Sequence, residues 1–231
     1  MEIEVRQWLD TYVARIKDAF GDRLLYAGCN GSQARGEATQ NSDIDVNIVL
    51  DRLSEGDLIK YRALARAVPG KRKICGFICG KAEMQAWPRH ELFQFTQGSI
   101  TLFGTLAGMV EPPLEGDIWE NILNTASGIY HLACHSFIYS GDLAQAAEGL
   151  LDAYKFAFFA LQEWVYVAKK KYVPTKKELI AELNGENKAI LEICMNWDNQ
   201  KTDREKTPEK YFFALIGWAA SMMRNAAEKR N

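Results

Sequence analysis

Two aspartates one residue apart, Asp43 and Asp45, stand in a stretch where Ile44, Val46, Ile48 and Leu50 alternate with Asp43, Asp45 and Asn47. Alternation with period two predicts a strand that turns its apolar set to one side and both carboxylates to the other. Adjacent carboxylates repel, and a cation between them relieves the repulsion. With oxygen donors only, that cation is Mg²⁺ or Mn²⁺ rather than zinc. Upstream, Gly31-Ser32 opens a turn after Asn30, where backbone N–H groups and a hydroxyl could hold phosphate oxygens. Ten residues separate Ser32 from Asp43. A phosphate-holding turn beside a divalent-metal site is the equipment for nucleotidyl transfer. Taken singly, neither feature says much: most exposed acids are simply solvated, and Gly-Ser is a turn. Their combination on one strictly alternating strand carries the argument.

The flanking sequence supplies elements to position that strand. From Glu2 to Ala19, Val5, Trp8, Leu9, Tyr12, Val13 and Ile16 recur at helical spacing, and Gly21 ends the run. Arg23 to Cys29 reads as a strand. Leu58 to Val68 reads as a helix stopped by Pro69-Gly70, and Lys73 to Cys79 as a third strand. Beyond Glu111-Pro112-Pro113 nearly everything has helical periodicity. Trp119, Ile122, Leu123, Ala126, Tyr130, Ala133 and Phe137 form one stripe. Leu143 to Lys171 reads as a single long helix rich in aromatic residues. Thr175-Lys176-Lys177-Glu178 is a capping box opening another, closed by Asn184-Gly185. Ala189 to Trp197 gives a short helix. Thr207 and Pro208 open the last as N-cap and first helical residue. The expected fold class is α+β: a small mixed-sheet domain over residues 1–113, then an all-α helical bundle over 114–231.

Composition narrows the function classes. The 231 residues are 48% hydrophobic, enough for a sizeable core. Lys+Arg 28 against Asp+Glu 30 leaves a net charge of −2, which advertises neither nucleic acid nor an anionic membrane as partner. No signal-peptide pattern opens the chain, and the apolar run around Phe156 to Ala168 is too short to span a bilayer. Cys29, Cys75, Cys79, Cys134 and Cys194 are an odd, unclustered set, read as reduced thiols of a cytoplasmic protein. The run Tyr154, Phe156, Phe158, Phe159, Trp164, Tyr166 reads as bundle core, with a homodimer contact through the helical domain left open.

Gly31-Ser32, Arg35-Gly36-Glu37-Ala38-Thr39, Ser42 and Asp43-Ile44-Asp45 together resemble the DNA polymerase β-like nucleotidyltransferase superfamily. The resemblance is to its bacterial branch of minimal and antibiotic nucleotidyltransferases, and it covers about residues 20 to 105. Past Pro113 the likeness is one of architecture. It implies that Gly31 and Ser32 contact the nucleotide phosphates, with Arg35 and Ser42 as further nucleotide-side candidates, and that Asp43 and Asp45 bind Mg²⁺ or Mn²⁺. The implied reaction moves a nucleoside monophosphate, AMP from ATP, to a hydroxyl of a small antibiotic-like acceptor, and pyrophosphate leaves. Protein AMP-transfer and a degenerate nucleotide-binding module stand as alternatives.

The pattern departs from the superfamily in one place. A third carboxylate commonly sits on the strand after the Asp-x-Asp strand; here Lys73-Ile74-Cys75-Gly76-Phe77-Ile78-Cys79-Gly80 holds no acid. Glu83 is the nearest substitute as a metal contact. A base could instead come from the helical part, where Glu120, Asn124, Ser127, His131 and His135 line a polar stripe; His131 or His135 is the candidate. Lys155 could reach a triphosphate, although Asp152 and Lys155 read more simply as a surface ion pair.

Overall fold

In a computed structural model, the description covers residues 3–40, 42–67 and 74–230. The chain divides into two compact units, Met1–Pro112 and Pro113–Asn231. Glu2, Asn41, Val68-Pro69-Gly70 and Lys73, which enter the sequence reading, lie outside the described residues.

The first unit is built on a mixed sheet. Helix α1 (Ile3–Phe20) leads through a 3-10 turn into β1 (Leu24–Asn30), then α2 (Gly31–Arg35), β2 (Ile44–Leu50) and α3 (Glu55–Arg66). Then come β3 (Ile74–Cys75), β4 (Ile78–Gly80), α4 (Lys81–Gln85), α5 (Leu92–Gln97) and β5 (Ile100–Gly104). The strand order is β3-β2-β1-β5, with β4 continuing alongside β2. β1 is antiparallel to β2 and β5, while β3 and β4 run parallel to β2.

The period-two pattern of β2 decides what covers the sheet. Ile44, Val46, Ile48 and Leu50 enter one core with Val5, Leu9, Tyr12, Val13 and Ile16 of α1. Each such fully buried side chain contributes about 1.5–3 kcal/mol. The opposite face of β2 is solvated only at its start. Val49 joins Tyr26, Cys79, Met84, Leu92 and Phe95 in a second core under α4 and α5, and Asn47 is buried too. A helical layer thus covers both faces, and the strand end bearing Asp43 and Asp45 is the part left open.

Two local departures from the sequence reading have clear causes. The expected third strand breaks in two at Gly76, whose φ is +111°; a Cβ there would sit 2.2 Å from the Val46 carbonyl oxygen. The expected helix from Leu58 begins three residues earlier. The Ser54 hydroxyl caps the Asp57 backbone N–H, and the Asp57 carboxylate accepts from the Ser54 backbone N–H at 2.9 Å. Such a box is worth about 1 kcal/mol. The same Asp57 receives Arg23 at 2.7 and 2.9 Å, while Arg23 also donates to Asp51 at 2.9 Å.

The second unit is all helical: α6 (Glu115–Tyr139), α7 (Leu143–Glu148), α8 (Leu151–Lys169), α9 (Lys176–Glu182), α10 (Gly185–Met195), α11 (Lys201–Lys206) and α12 (Pro208–Lys229). The helix expected over Leu143 to Lys171 is two, separated at Gly149-Leu150. Glu148, ending α7, pairs with Arg204 at 2.9 Å, and the buried Arg204 guanidinium lies 3.9 Å from the Trp197 ring centre. Asn184-Gly185 opens α10 rather than only closing the helix before it. The Thr207 side chain does not cap α12; its hydroxyl donates to the Asp203 carbonyl at 2.9 Å, while Pro208 takes the first helical position. The Thr175–Glu178 capping box forms. The buried stripe of α6 is rotated from expectation, with Ile118 and Ile129 inside and Tyr130 outside. Of the aromatic run, Tyr154 and Phe158 are core and Phe156 is exposed. No helix among the described residues is long and apolar enough to cross a membrane.

The Arg23 hydrogen bond, with help from Ser54, holds the Asp57 carboxyl well below the usual carboxylate range. A depressed carboxylate stabilises the fold above its unfolded value, near 3.9, and the contribution is lost as pH falls through the folded value. Asp57→Ala is therefore expected to melt below the parent at neutral pH, with the two melting curves converging as the pH drops below about 4. Thermal denaturation across pH 2–7 checks this.

Candidate active site

The site is assembled where β1 ends and β2 begins. In the antiparallel ladder Asn30 lies directly opposite Asp45. Gly31 follows with φ +70°, and a Cβ there would stand 1.9 Å from Asp45 Oδ2. Only a residue without a side chain lets the turn close onto that carboxylate. The five-residue α2 starts in this turn, with Gly31 against the Asp45 carboxylate and Ser32 following it in the helix.

Asp45 is half-buried and Asp43 exposed. Burial, and then the charge of Asp43, push the Asp45 carboxyl up from its ordinary value. A hydrogen bond with the Cys75 thiol and the charge of Arg35 act the other way. The dominant causes both disfavour a second negative charge at this place, and a bound cation would remove that penalty. Among the described residues no group of three His, Cys, Asp or Glu side chains could hold a metal. The donor set is two carboxylates, which suits Mg²⁺, an ion that takes one or two carboxylates and leaves its other positions to phosphate and water. The residues fit such an ion.

The remaining sequence candidates fall in different places. Arg35 donates to Glu37 at 3.1 Å with its side chain largely buried, and its charge reaches Asp45. The Ser42 hydroxyl accepts from the Thr39 backbone N–H at 2.9 Å and serves the turn entering β2. Glu83 is not brought to the acid pair. It lies on α4 just past Gly80, which pairs with Leu50 at the other end of β2. Five residues of strand, about 16 Å, separate that end from Asp45. The Glu83 carboxylate folds back to its own helix start, where Oε2 would be 2.4 Å from a Cβ on Gly80. His131 and His135 lie on α6 of the second unit, both exposed, with ring centres 6.0 Å apart. Lys155 pairs with Asp152 at 3.0 Å on the exposed face of α8.

The structure adds neighbours that the motif did not single out. Cys75 occupies the β3 position paired with Asp45 and is exposed. Burial pushes the thiols of Cys29 and Cys79 up to about 11, so these two stay protonated and inert. The amides of Asn30 and Asn47 meet at 2.6 Å, and the Ser99 hydroxyl lies 2.8 Å from the same atom of Asn30. The signal for Asn47 was present in the alternation, two residues past Asp45 on the same face; Ser99 carried none. A separate cavity of about 410 Å³, lined by Met84, Trp87, Arg89, Leu92 and Met109 among others, contains none of these residues.

Residues 13–81, running from within α1 to the start of α4, match the family described as nucleotidyltransferase domain. No curated protein matches the chain in sequence. Among solved structures, spectinomycin adenyltransferase AAD(9) from Enterococcus faecialis, determined with ATP and spectinomycin, is similar with a TM-score of 0.52 at 13% identity. The similarity covers 90% of this chain and 98% of that one. At that identity the likeness is one of fold, and it extends the α+β assignment over most of the chain. By the family match, the first unit of this chain carries a nucleotidyltransferase domain, the module of a transferase enzyme.

Proposed function

We propose that the chain transfers a nucleoside monophosphate, AMP from ATP, to a hydroxyl of a small, antibiotic-like molecule. The observation that carries the reading is the seating of the Asp45 carboxylate on the side-chain-free Gly31 turn, with Asp43 beside it. The acceptor class is supported by the similarity to a structure determined with ATP and spectinomycin.

In this reading Asp43 and Asp45 hold Mg²⁺ or Mn²⁺ at the open end of β2. When bound, the ion supplies charge neutralisation for the triphosphate and polarises the phosphorus under attack. The Gly31-Ser32 turn offers its backbone N–H groups and the Ser32 hydroxyl to the β- and γ-phosphates, so that the leaving pyrophosphate is held in line. Arg35, fixed by Glu37, partly offsets the upward push on the Asp45 carboxyl and adds positive charge near the triphosphate. The acceptor hydroxyl then attacks the α-phosphorus, its proton passes to a base, and the bond to pyrophosphate breaks. His131 and His135 are our candidates for that base, since histidine is the side chain that most often serves as a general base.

Two variants test the reading. With ATP, Mg²⁺ and a panel of aminocyclitol and other hydroxyl acceptors, pyrophosphate release should fall about 100-fold or more in Asp43→Asn and in Asp45→Asn. Nucleotide binding without pyrophosphate release across the panel would favour a non-catalytic nucleotide-binding module. Gly31→Ala should fold yet lose triphosphate. The left-handed backbone costs a non-glycine about 1–2 kcal/mol, and the Asp45 carboxylate must move, so affinity is expected to drop on the order of tenfold. Titration with a fluorescent ATP analogue reads this directly.

A further inference from the structure

We infer that His131 and His135 form a metal site of their own, a two-imidazole chelate for a late first-row divalent ion such as Ni²⁺, Cu²⁺ or Zn²⁺. Two of the chain's three histidines stand four residues apart on α6. On a helix that spacing sets one side chain a turn above the other, with Cβ atoms about 5–6 Å apart. Both residues are exposed, and their ring centres lie 6.0 Å apart with the planes tilted by 36°.

Reach decides whether one ion can touch both rings. An imidazole nitrogen binds such an ion at about 2.0–2.1 Å. Adding about 1.1 Å from nitrogen to ring centre puts each ring centre about 3.2 Å from the ion, so two rings that share it are at most about 6.4 Å apart. The observed 6.0 Å lies inside that limit with no movement of the backbone. Exposed side chains are free to turn about χ1 and χ2, which narrows the wide nitrogen–ion–nitrogen angle toward the tetrahedral one. One turn further along, Tyr139 packs on His135 with ring centres 4.9 Å apart and steadies that ring.

Donor chemistry selects the ion. Neutral imidazole nitrogen suits Zn²⁺, Cu²⁺ and Ni²⁺, whereas Mg²⁺ takes oxygen. The acid pair of β2 and the histidine pair of α6 therefore draw on different metals. Cys134, between the two histidines in sequence, is half-buried, and no third His, Cys, Asp or Glu among the described residues completes the set. Water fills the other positions, which makes the site an open one. An ion held there occupies the ring nitrogen that a general base would use. Filling the site thus stops either histidine from taking a proton; this consequence, unlike the site itself, rests on the function proposed above.

The test is Ni²⁺ binding to the full chain, free of any added histidine tag, with Mg²⁺ in large excess to occupy the acid pair. Paramagnetic Ni²⁺ should broaden the imidazole NMR signals of His131 and His135 together and spare His90, which stands beside Glu91. Loss of an outer-shell partner alone costs about 10–100-fold in metal affinity. By calorimetry, His131→Ala and His135→Ala should therefore each weaken Ni²⁺ by at least about tenfold. Parent-like affinity in either variant, or broadening of only one of the two rings, overturns the inference. Should a variant not fold, the broadening pattern of the parent decides alone. In the parent, bound Ni²⁺ should also stop pyrophosphate release. Turnover that continues with the pair filled leaves the metal site standing and removes both histidines from the proposed mechanism.

Discussion

The site depends on one close approach, that of the Asp45 carboxylate to the backbone of Gly31. A carboxylate that near a turn leaves no room for a side chain, so the turn must carry glycine, and its φ of +70° makes the same demand. The contact brings the start of α2 and the start of β2 to one place, where backbone donors and acid oxygens meet. It also takes Asp45 partly out of water next to Asp43, an arrangement that is unfavourable unless a cation is shared between them. Stability and function pull against each other here, as they often do where charged groups are gathered.

The sheet decides where that tension can exist. Along β2 the apolar positions pack on α1, and from Asn47 onward the other positions are covered by the layer that contains α4 and α5. Only the first residues of the strand escape this second cover. An acid at residue 47 or 49 would be buried against Asn30 or the Tyr26–Phe95 cluster, and would pay for desolvation without access to a ligand. The Arg23–Asp57 pair acts at the far end, tying the start of β1 to the cap of α3. The strand is held at its closed end and offers chemistry at its open one.

Much of this was legible in the residues, and the exceptions have physical causes. The alternation from Asp43 to Leu50 identified β2 and its two faces, because period two is a direct consequence of strand geometry. It did not reveal that the second face is covered, since Asn47 and Val49 look equally at home on a wet surface. The break at Gly76 depends on a carbonyl of a neighbouring strand, which no local pattern records. β5 lacks clean alternation and was missed, although it pairs with β1 along four residue pairs. In the helical unit the cap at Thr175 and the opening of α12 at Pro208 were readable from single residues, whereas the cap expected at Thr207 does not form. The split between α7 and α8 was not; it falls at Gly149-Leu150, next to Glu148, which pairs with an arginine far along the chain.

The lack of a third acid beside Asp45 among the described residues is then better understood as a matter of charge than of loss. The strand position paired with Asp45 is Cys75, whose thiol hydrogen-bonds the carboxylate and favours its ionised form without adding charge. On the other flank stands Asn30, also neutral, held by two further neutral groups. Glu83 spends its carboxylate at the opposite end of the strand. Both neighbours of Asp45 in the sheet are thus polar and uncharged, and the nearby positive charge is that of Arg35. Such a surround keeps two carboxylates ionised at lower cost than three acids could manage in the same space. It leaves the cation to be completed by the phosphates it neutralises, so that metal and nucleotide would bind as one unit.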